Sequence, residues 1–375
     1  MLKVYNSRKN WKMLQKLWAS RNIQNFFAYE FCNFLNTEFV FFEEDWVKHK
    51  LELIKDKKGN KEKLILGVML YSILKNQFNE SLPPYVINRM VEEGKIFHVD
   101  ELEENPYIKN IKIPSLKEGS FEFFQNKFKK YEFFDCDSFY DELINTVFPV
   151  IGYIDDEFEF PVLSENNKVW MSITPSEIVT MQKDIDKAHG KVLTLGCGLG
   201  YYAYMVAIKE NVESVTIIEK SPEVISLFEK YILPQFGDVK NKITIIEADA
   251  IEFMENLEDG KYDFCFADIW KSNIDIAPYL KLKPLEKKFK NMECAYWLEF
   301  HIIASNIQPY LLMFMTDEFE YKSKMTNLPP QVEPIIKFVE EVYKKDVYIK
   351  NPEIIKHHIN PYNIIEAINQ KYQYE

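Results

Sequence analysis

"VLTLGCGLGYYAYMV", residues 192–206, sets Gly196, Gly198 and Gly200 within five consecutive positions of a chain that has only 11 glycines among 375 residues. An apolar run that reads as a buried strand leads into this turn, and a tyrosine-rich apolar run that reads as a helix leads out of it. Strand, glycine turn and helix together form the first unit of a nucleotide-binding α/β domain. The neighbouring residues decide whether such a domain is present.

Downstream, "SVTIIE" (214–219), "KITIIEAD" (242–249) and "YDFCFAD" (262–268) have strand composition. Between them, "SPEVISLFEKYI" (221–232), with Ser221 placed to cap and Pro222 first, and "AIEFMENL" (250–257) read as helices. Strands joined by helical crossovers pair in parallel, so the expected fold class is α/β: a doubly wound, mainly parallel, Rossmann-like sheet. Upstream, "YIDDEFEFPVL" and "KVWMSI", joined by "SENN", read as a β-hairpin. Thr174, Pro175 and Glu177 then have the spacing of a helix start with a capping box. From Asn10 to Lys95 apolar residues recur three and four apart, the mark of helices. The tract 97–120 reads as a connector, and 121–148 as an aromatic amphipathic segment. The expected organisation is a mostly helical N-terminal domain over 1–150, then the hairpin and the Rossmann-like domain with a helical C-terminal extension over 151–375.

Net charge of -12 and a pI near 5.2 give a field that repels a phosphate backbone, so nucleic acid is not the expected partner. The lysine-rich runs 54–64 and 281–290 read as solvated faces. Five scattered cysteines without CxxC spacing argue against a disulfide framework or structural zinc. His357 and His358 are adjacent, so on a helix they diverge by about 100° and cannot chelate together; no metal is expected. The N-terminus lacks the apolar core of a signal peptide, and no stretch approaches about 18 apolar residues, which points to a cytoplasmic protein without a membrane span.

In an open parallel sheet the ligand lies beyond the carboxyl ends of the strands. Here Glu219, Asp249 and Asp268 close the second, third and fourth strands, on the same rim as the glycine turn. A dinucleotide fingerprint needs its third glycine one position beyond Gly200, and no Lys-Ser or Lys-Thr pair follows to make a P-loop. Glycines at positions one, three and five suit a ligand whose ribose and amino-acid tail lie flat over the turn. Glu219 is then placed to accept both ribose hydroxyls, and Asp249 to accept from an adenine amino group. Cys197 reads as a small spacer.

The series "VLTLGCGLG", "VTIIEKSP", "ITIIEADAIEFM" and "YDFCFADIW" resembles the successive motifs of class I S-adenosylmethionine-dependent methyltransferases, in the spermidine synthase-like branch. That branch also places a hairpin and an acidic helix start ahead of the glycine strand, as "FPVLSENNKVWMSITPSEIVTM" does here. The likeness covers about 165–275. It implies S-adenosyl-L-methionine as cofactor, held by Gly196, Cys197, Gly198, Gly200, Glu219, Lys220, Asp249, Ala250 and Asp268. The implied activity is methyl transfer to a small-molecule acceptor, with Asp268 as base or orienting group. Glu177, Trp270, Tyr296 and Glu299 are expected to line the acceptor pocket.

Two departures bear on the donor's methionine end. Thr194 stands where methyltransferases usually carry an acid, and Leu199 where spermidine synthases carry an aspartate. The continuation "DIWKS" also differs from that of aminopropyltransferases. Aminopropyl transfer from decarboxylated S-adenosylmethionine, and a non-catalytic nucleoside-binding scaffold, are the competing expectations. The N-terminal part is expected to shape acceptor choice or to support a homodimer.

Overall fold

The structure, a computed structural model, describes residues 2–54, 60–79, 82–270, 272, 275–320, 332–343 and 347–373. Apolar spacing in the first hundred residues is realised in α1 (Arg8–Asn25), α2 (Lys61–Gln77) and α3 (Pro84–Glu93), with shorter helices between. Within the tract read as a connector lies a further helix, α4 (Pro106–Asn110), capped by the Asn105 side chain.

Beyond Asn110 the chain turns to strands: β1 (Phe121–Phe128), β2 (Phe133–Asp141), β3 (Thr146–Ile154), β4 (Phe158–Glu165) and β5 (Lys168–Ser172). β4 pairs antiparallel with both β1 and β5, and β2 pairs antiparallel with β3. The β4–β5 hairpin is the one read from sequence; Asn166 and Asn167 at its tip have φ of 51° and 62°, the left-handed pair that a type I′ turn requires.

The expected division at 150 is corrected, because that position falls inside β3 and the helical part ends forty residues earlier, at Asn110. Every residue of β3 is buried, so its sequence shows no alternation from which to read a strand. Nor do the two parts pack separately. Leu14 and Leu17 of α1 share a core with the C-terminal helices, and the Trp18 indole donates to Thr316 Oγ1 at 3.0 Å. A short strand at Leu2–Val4 pairs in parallel with Val347–Ile349.

Next comes α5 (Pro175–Lys187), opened by the full capping box of Thr174 and Glu177. Strands and helices then alternate: β6 (Gly190–Leu195), α6 (Tyr201–Ala207), β7 (Val212–Glu219), α7 (Pro222–Leu227), β8 (Ile243–Glu247), α8 (Ala250–Asn256), β9 (Phe264–Ala267), α9 (Ala277–Leu282) and β10 (Glu293–Tyr296). They form a five-stranded, all-parallel sheet in the order β8-β7-β6-β9-β10. The direction of winding reverses between β6 and β9, which makes the end of β6 the switch point where such sheets bind ligands. Period-2 alternation buries both faces. Val192, Phe264 and Phe266 join the core shared with the N-terminal helices and antiparallel strands, while Leu193, Leu195, Cys265 and Ala267 face the C-terminal helices.

The run 281–290 is not wholly a solvated face. Lys283 is buried, with its ammonium 2.8 Å from Glu286, and Lys288 donates to the Met254 carbonyl at 3.0 Å. Of the run 54–64, residues 55–59 lie outside the described residues.

Candidate active site

β6 delivers the chain into the turn at Gly196, whose φ is +100°; a side chain there would run into the Asp268 carbonyl oxygen. At Gly200, with φ +74°, a Cβ would overlap the Phe228 ring. The close approach that excludes side chains at these two positions therefore comes from the protein's own backbone and core. Only at Gly198 is the space above the turn open, with Met171 Sδ of β5 3.6 Å from where a Cβ would stand. The hairpin thus reaches over the turn.

Hydrogen bonds hold the turn's first half. Gly196 N–H donates to the Ile218 carbonyl at 2.9 Å, and Cys197 N–H to Glu219 Oε2 at 3.1 Å. Glu219 Oε1 accepts from the N–H groups of Lys220 and Ser221, both at 2.8 Å. The Glu219 carboxylate, expected to grip a ribose, is thus already the clasp between the glycine turn and the end of β7. A carboxylate has about four acceptor sites, so capacity remains for a sugar hydroxyl. The Cys197 thiol is buried, and burial followed by the Glu219 charge pushes its pKa well up, in keeping with a spacer.

Asp249 Oδ1 caps α8, accepting from Ile251 N–H at 2.9 Å and Glu252 N–H at 3.3 Å. Asp249 is exposed, as is Lys220, and Ala250 is buried beside it. Asp268 follows β9, anchored by its N–H to the Leu195 carbonyl at 3.0 Å. Burial, then the nearby Glu177 charge, raises its carboxyl to about 7. Glu177 is likewise pushed up to about 7 by burial, against the pull of its hydrogen bonds. Its Oε2 accepts from Thr174 N–H at 2.7 Å and from the Ser172 and Thr174 hydroxyls at 3.1 Å each. The capping box of α5 therefore holds an acid whose charge reaches Asp268 at the end of β9. Two carboxyls that change charge near neutrality beside an open turn are suited to binding a cation and moving a proton.

The remaining expected pocket residues are gathered elsewhere. Trp270 and Tyr296 are buried in the second core, ring centroids 6.3 Å apart. Glu299 accepts from the Tyr279 hydroxyl at 2.8 Å and lies 3.4 Å from the Lys283 ammonium, which sits 4.7 Å from the Tyr296 ring centre. Tyr296 and Glu299 thus form a network around Lys283, with Trp270 against the Tyr296 ring. Burial pulls the Lys283 pKa down, but the Glu299 and Glu286 charges outweigh it and raise it above the ordinary value. The neighbouring Trp297 packs against α5, its indole donating to Thr180 Oγ1 at 3.0 Å.

Neither departure residue offers a charge. Thr194 is buried, its hydroxyl turned to the Gly196 carbonyl at 3.3 Å, and Leu199 is buried with its carbonyl taking the Tyr107 hydroxyl. Two cavities lie away from the turn. One of about 610 Å³ is lined by residues such as Glu103, Lys112 and Phe158; another of about 620 Å³ backs onto α5 at Ile178 and Val179.

A parallel sheet in this order, with acids at the strand ends and a glycine turn at its switch point, defines a Rossmann-like α/β domain. Residues 171–287 match the family model described as the spermine/spermidine synthase domain. The structure is similar to the crystal structure of spermidine synthase from Thermotoga maritima, with 15% identity, a TM-score of 0.27, and coverage of 36% of this chain and 50% of that one. It is also similar to that of precorrin-6y C5,15-methyltransferase from Geobacter metallireducens GS-15, with 17% identity, a TM-score of 0.25, and coverage of 32% and 59%. The chain thus spans about half the length of the first of these structures. No curated protein matches the chain. No described helix is long and apolar enough to cross a membrane.

Proposed function

We propose that this protein is a transferase that moves an alkyl group from an S-adenosyl donor, seated on the 196–200 turn, to a small-molecule acceptor. The observation that carries the reading is the pairing of an open glycine turn with two carboxyls, Glu177 and Asp268, both held to about 7. When bound, the donor supplies an electrophilic carbon on a sulfonium. What the chain must add is alignment and, for an amine or hydroxyl nucleophile, removal of a proton. Glu219, already fixed by three backbone N–H groups, has an acceptor site left for a ribose hydroxyl. Met171 of the hairpin covers the donor at Gly198. Asp268, near its midpoint at neutral pH, accepts the acceptor's proton, and Glu177 favours a cationic acceptor through its charge.

Methyl transfer from S-adenosyl-L-methionine is the first reading. Aminopropyl transfer from the decarboxylated donor is favoured by one observation: the charged side chains gathered at the turn, Glu177, Glu219 and Asp268, are all acidic, which suits a donor without a carboxylate. Calorimetric titration with the two donors in parallel decides between them. Tighter binding of S-adenosyl-L-methionine supports methylation, and tighter binding of the decarboxylated form supports aminopropyl transfer. If neither binds, the transferase reading fails. A scaffold that only binds nucleoside predicts that Asp268→Asn leaves turnover of any acceptor unchanged.

A further inference from the structure

The glycine turn is clasped by Glu219 only through its first half. Its second half, Gly198-Leu199-Gly200, has φ of +56° and +74° at its two glycines, residues free to leave that conformation at little steric cost. Besides Met171 at Gly198, the Phe228 ring at Gly200 and the Gly200 N–H donating to the Cys197 carbonyl at 2.9 Å, this half is touched by α4, some ninety residues earlier and outside the 171–287 match. The Tyr107 hydroxyl donates to the Leu199 carbonyl. Asn105 Nδ2 donates to the Tyr201 hydroxyl at 3.1 Å, and Asn110 Nδ2 to the Tyr204 hydroxyl at 2.9 Å. Tyr107 is 0% exposed, with its ring edge-on to Tyr201 at 5.4 Å and to Tyr204 at 5.7 Å.

The Leu199 carbonyl belongs to the peptide that joins Leu199 to Gly200, so its direction sets the plane of that peptide and the path of the turn into α6. We propose that Tyr107 is a positioning residue for the nucleoside turn: its hydroxyl, acting through the Leu199 carbonyl, holds the turn's second half in the shape that accepts an adenosyl ligand. This rests on the reading of 196–200 as the donor seat. Burial keeps the phenol protonated, its pKa raised well above the ordinary value, so the bond persists across the working pH range. The N-terminal segment thereby becomes part of the cofactor site rather than only a neighbour of it. The two flanking bonds differ in kind, since Asn105 and Asn110 reach side chains of α6 and leave the turn's backbone untouched.

The test compares wild type, Tyr107→Phe and Asn110→Ala as full chains. Tyr107→Phe keeps the ring and removes only the hydroxyl; Asn110→Ala removes a bond from the same helix that ends on Tyr204. Each is titrated calorimetrically with 5′-methylthioadenosine, and amide hydrogen exchange is followed in peptides covering 196–201. Tyr107→Phe is expected to weaken binding about tenfold and to speed exchange of the turn about fivefold or more. Asn110→Ala should lower the unfolding temperature while leaving affinity and turn exchange at wild-type values. Wild-type binding and exchange in Tyr107→Phe overturn the inference alone, as does loosening of the turn to the same degree by Asn110→Ala. Wild type that binds no 5′-methylthioadenosine overturns the donor-seat reading and this inference with it.

Discussion

In the proposed transfer Asp268 is the proton acceptor, and its burial has a cost in stability. Its carboxyl is held at about 7, far above the ordinary aspartate value of 3.8. In the folded protein it stays neutral over a range in which the unfolded chain has already lost its proton. Stability therefore falls as pH rises from about 4 to 7, and above that the full penalty of a buried anion is present. Asp268→Asn is expected to raise the unfolding temperature by about 2 °C at pH 8 and to leave it unchanged at pH 4, as measured by calorimetry. The same change should lower kcat by about 10²–10⁴. With the native residue, kcat/KM should rise with pH through about 7. Glu177→Gln removes the neighbouring negative charge that helps keep Asp268 protonated, so the rising limb of the profile should move to lower pH. A shift to higher pH would contradict the electrostatic pairing of these two acids.

At the scale of elements, the network between α9 and β10 is a load of charge placed in the core. Lys283 sits between Glu286 and Glu299 with the rings of Tyr279 and Tyr296 about it. Lys283→Met fills the same volume but leaves two acids without their cation, and should cost about 3–5 kcal/mol in urea unfolding. This network was not legible in the sequence, because "KLKPLEKKFK" has the composition of a solvated face and gives no sign that one of its lysines turns inward. The parallel sheet was legible, since each of its first four strands ends in a turn, cap or acid whose type follows from local rules. The hairpin and the capping box were legible for the same reason: Asn-Asn at the turn, and Thr-Pro before Glu177, determine backbone geometry within a few residues. The pairing of Glu177 with Asp268 was only half visible. Both residues stood out as acids, but their approach is a tertiary event between α5 and β9. Tyr107 touches the turn through a contact that spans about ninety residues, and no local pattern marks it.

For the whole molecule, two large cores enclose the parallel sheet; one takes residues from Phe27 to Ala295, and the other takes residues from both ends of the chain, Leu2 to Tyr372. α1 lies against the C-terminal helices, and the strand at Leu2–Val4 pairs with Val347–Ile349. The Rossmann-like part is therefore not expected to fold alone: a fragment of residues 151–375 should lack a cooperative thermal transition, whereas the full chain should unfold in one. A fragment that melts cooperatively would contradict the shared cores. The central claim concerns the turn itself, and a crystal structure of the full chain soaked with S-adenosyl-L-methionine tests it most directly. The account predicts density for the nucleoside over 196–200, with its ribose hydroxyls within hydrogen-bonding reach of Glu219. A ligand bound elsewhere, or a turn left bare at saturating concentration, would contradict it.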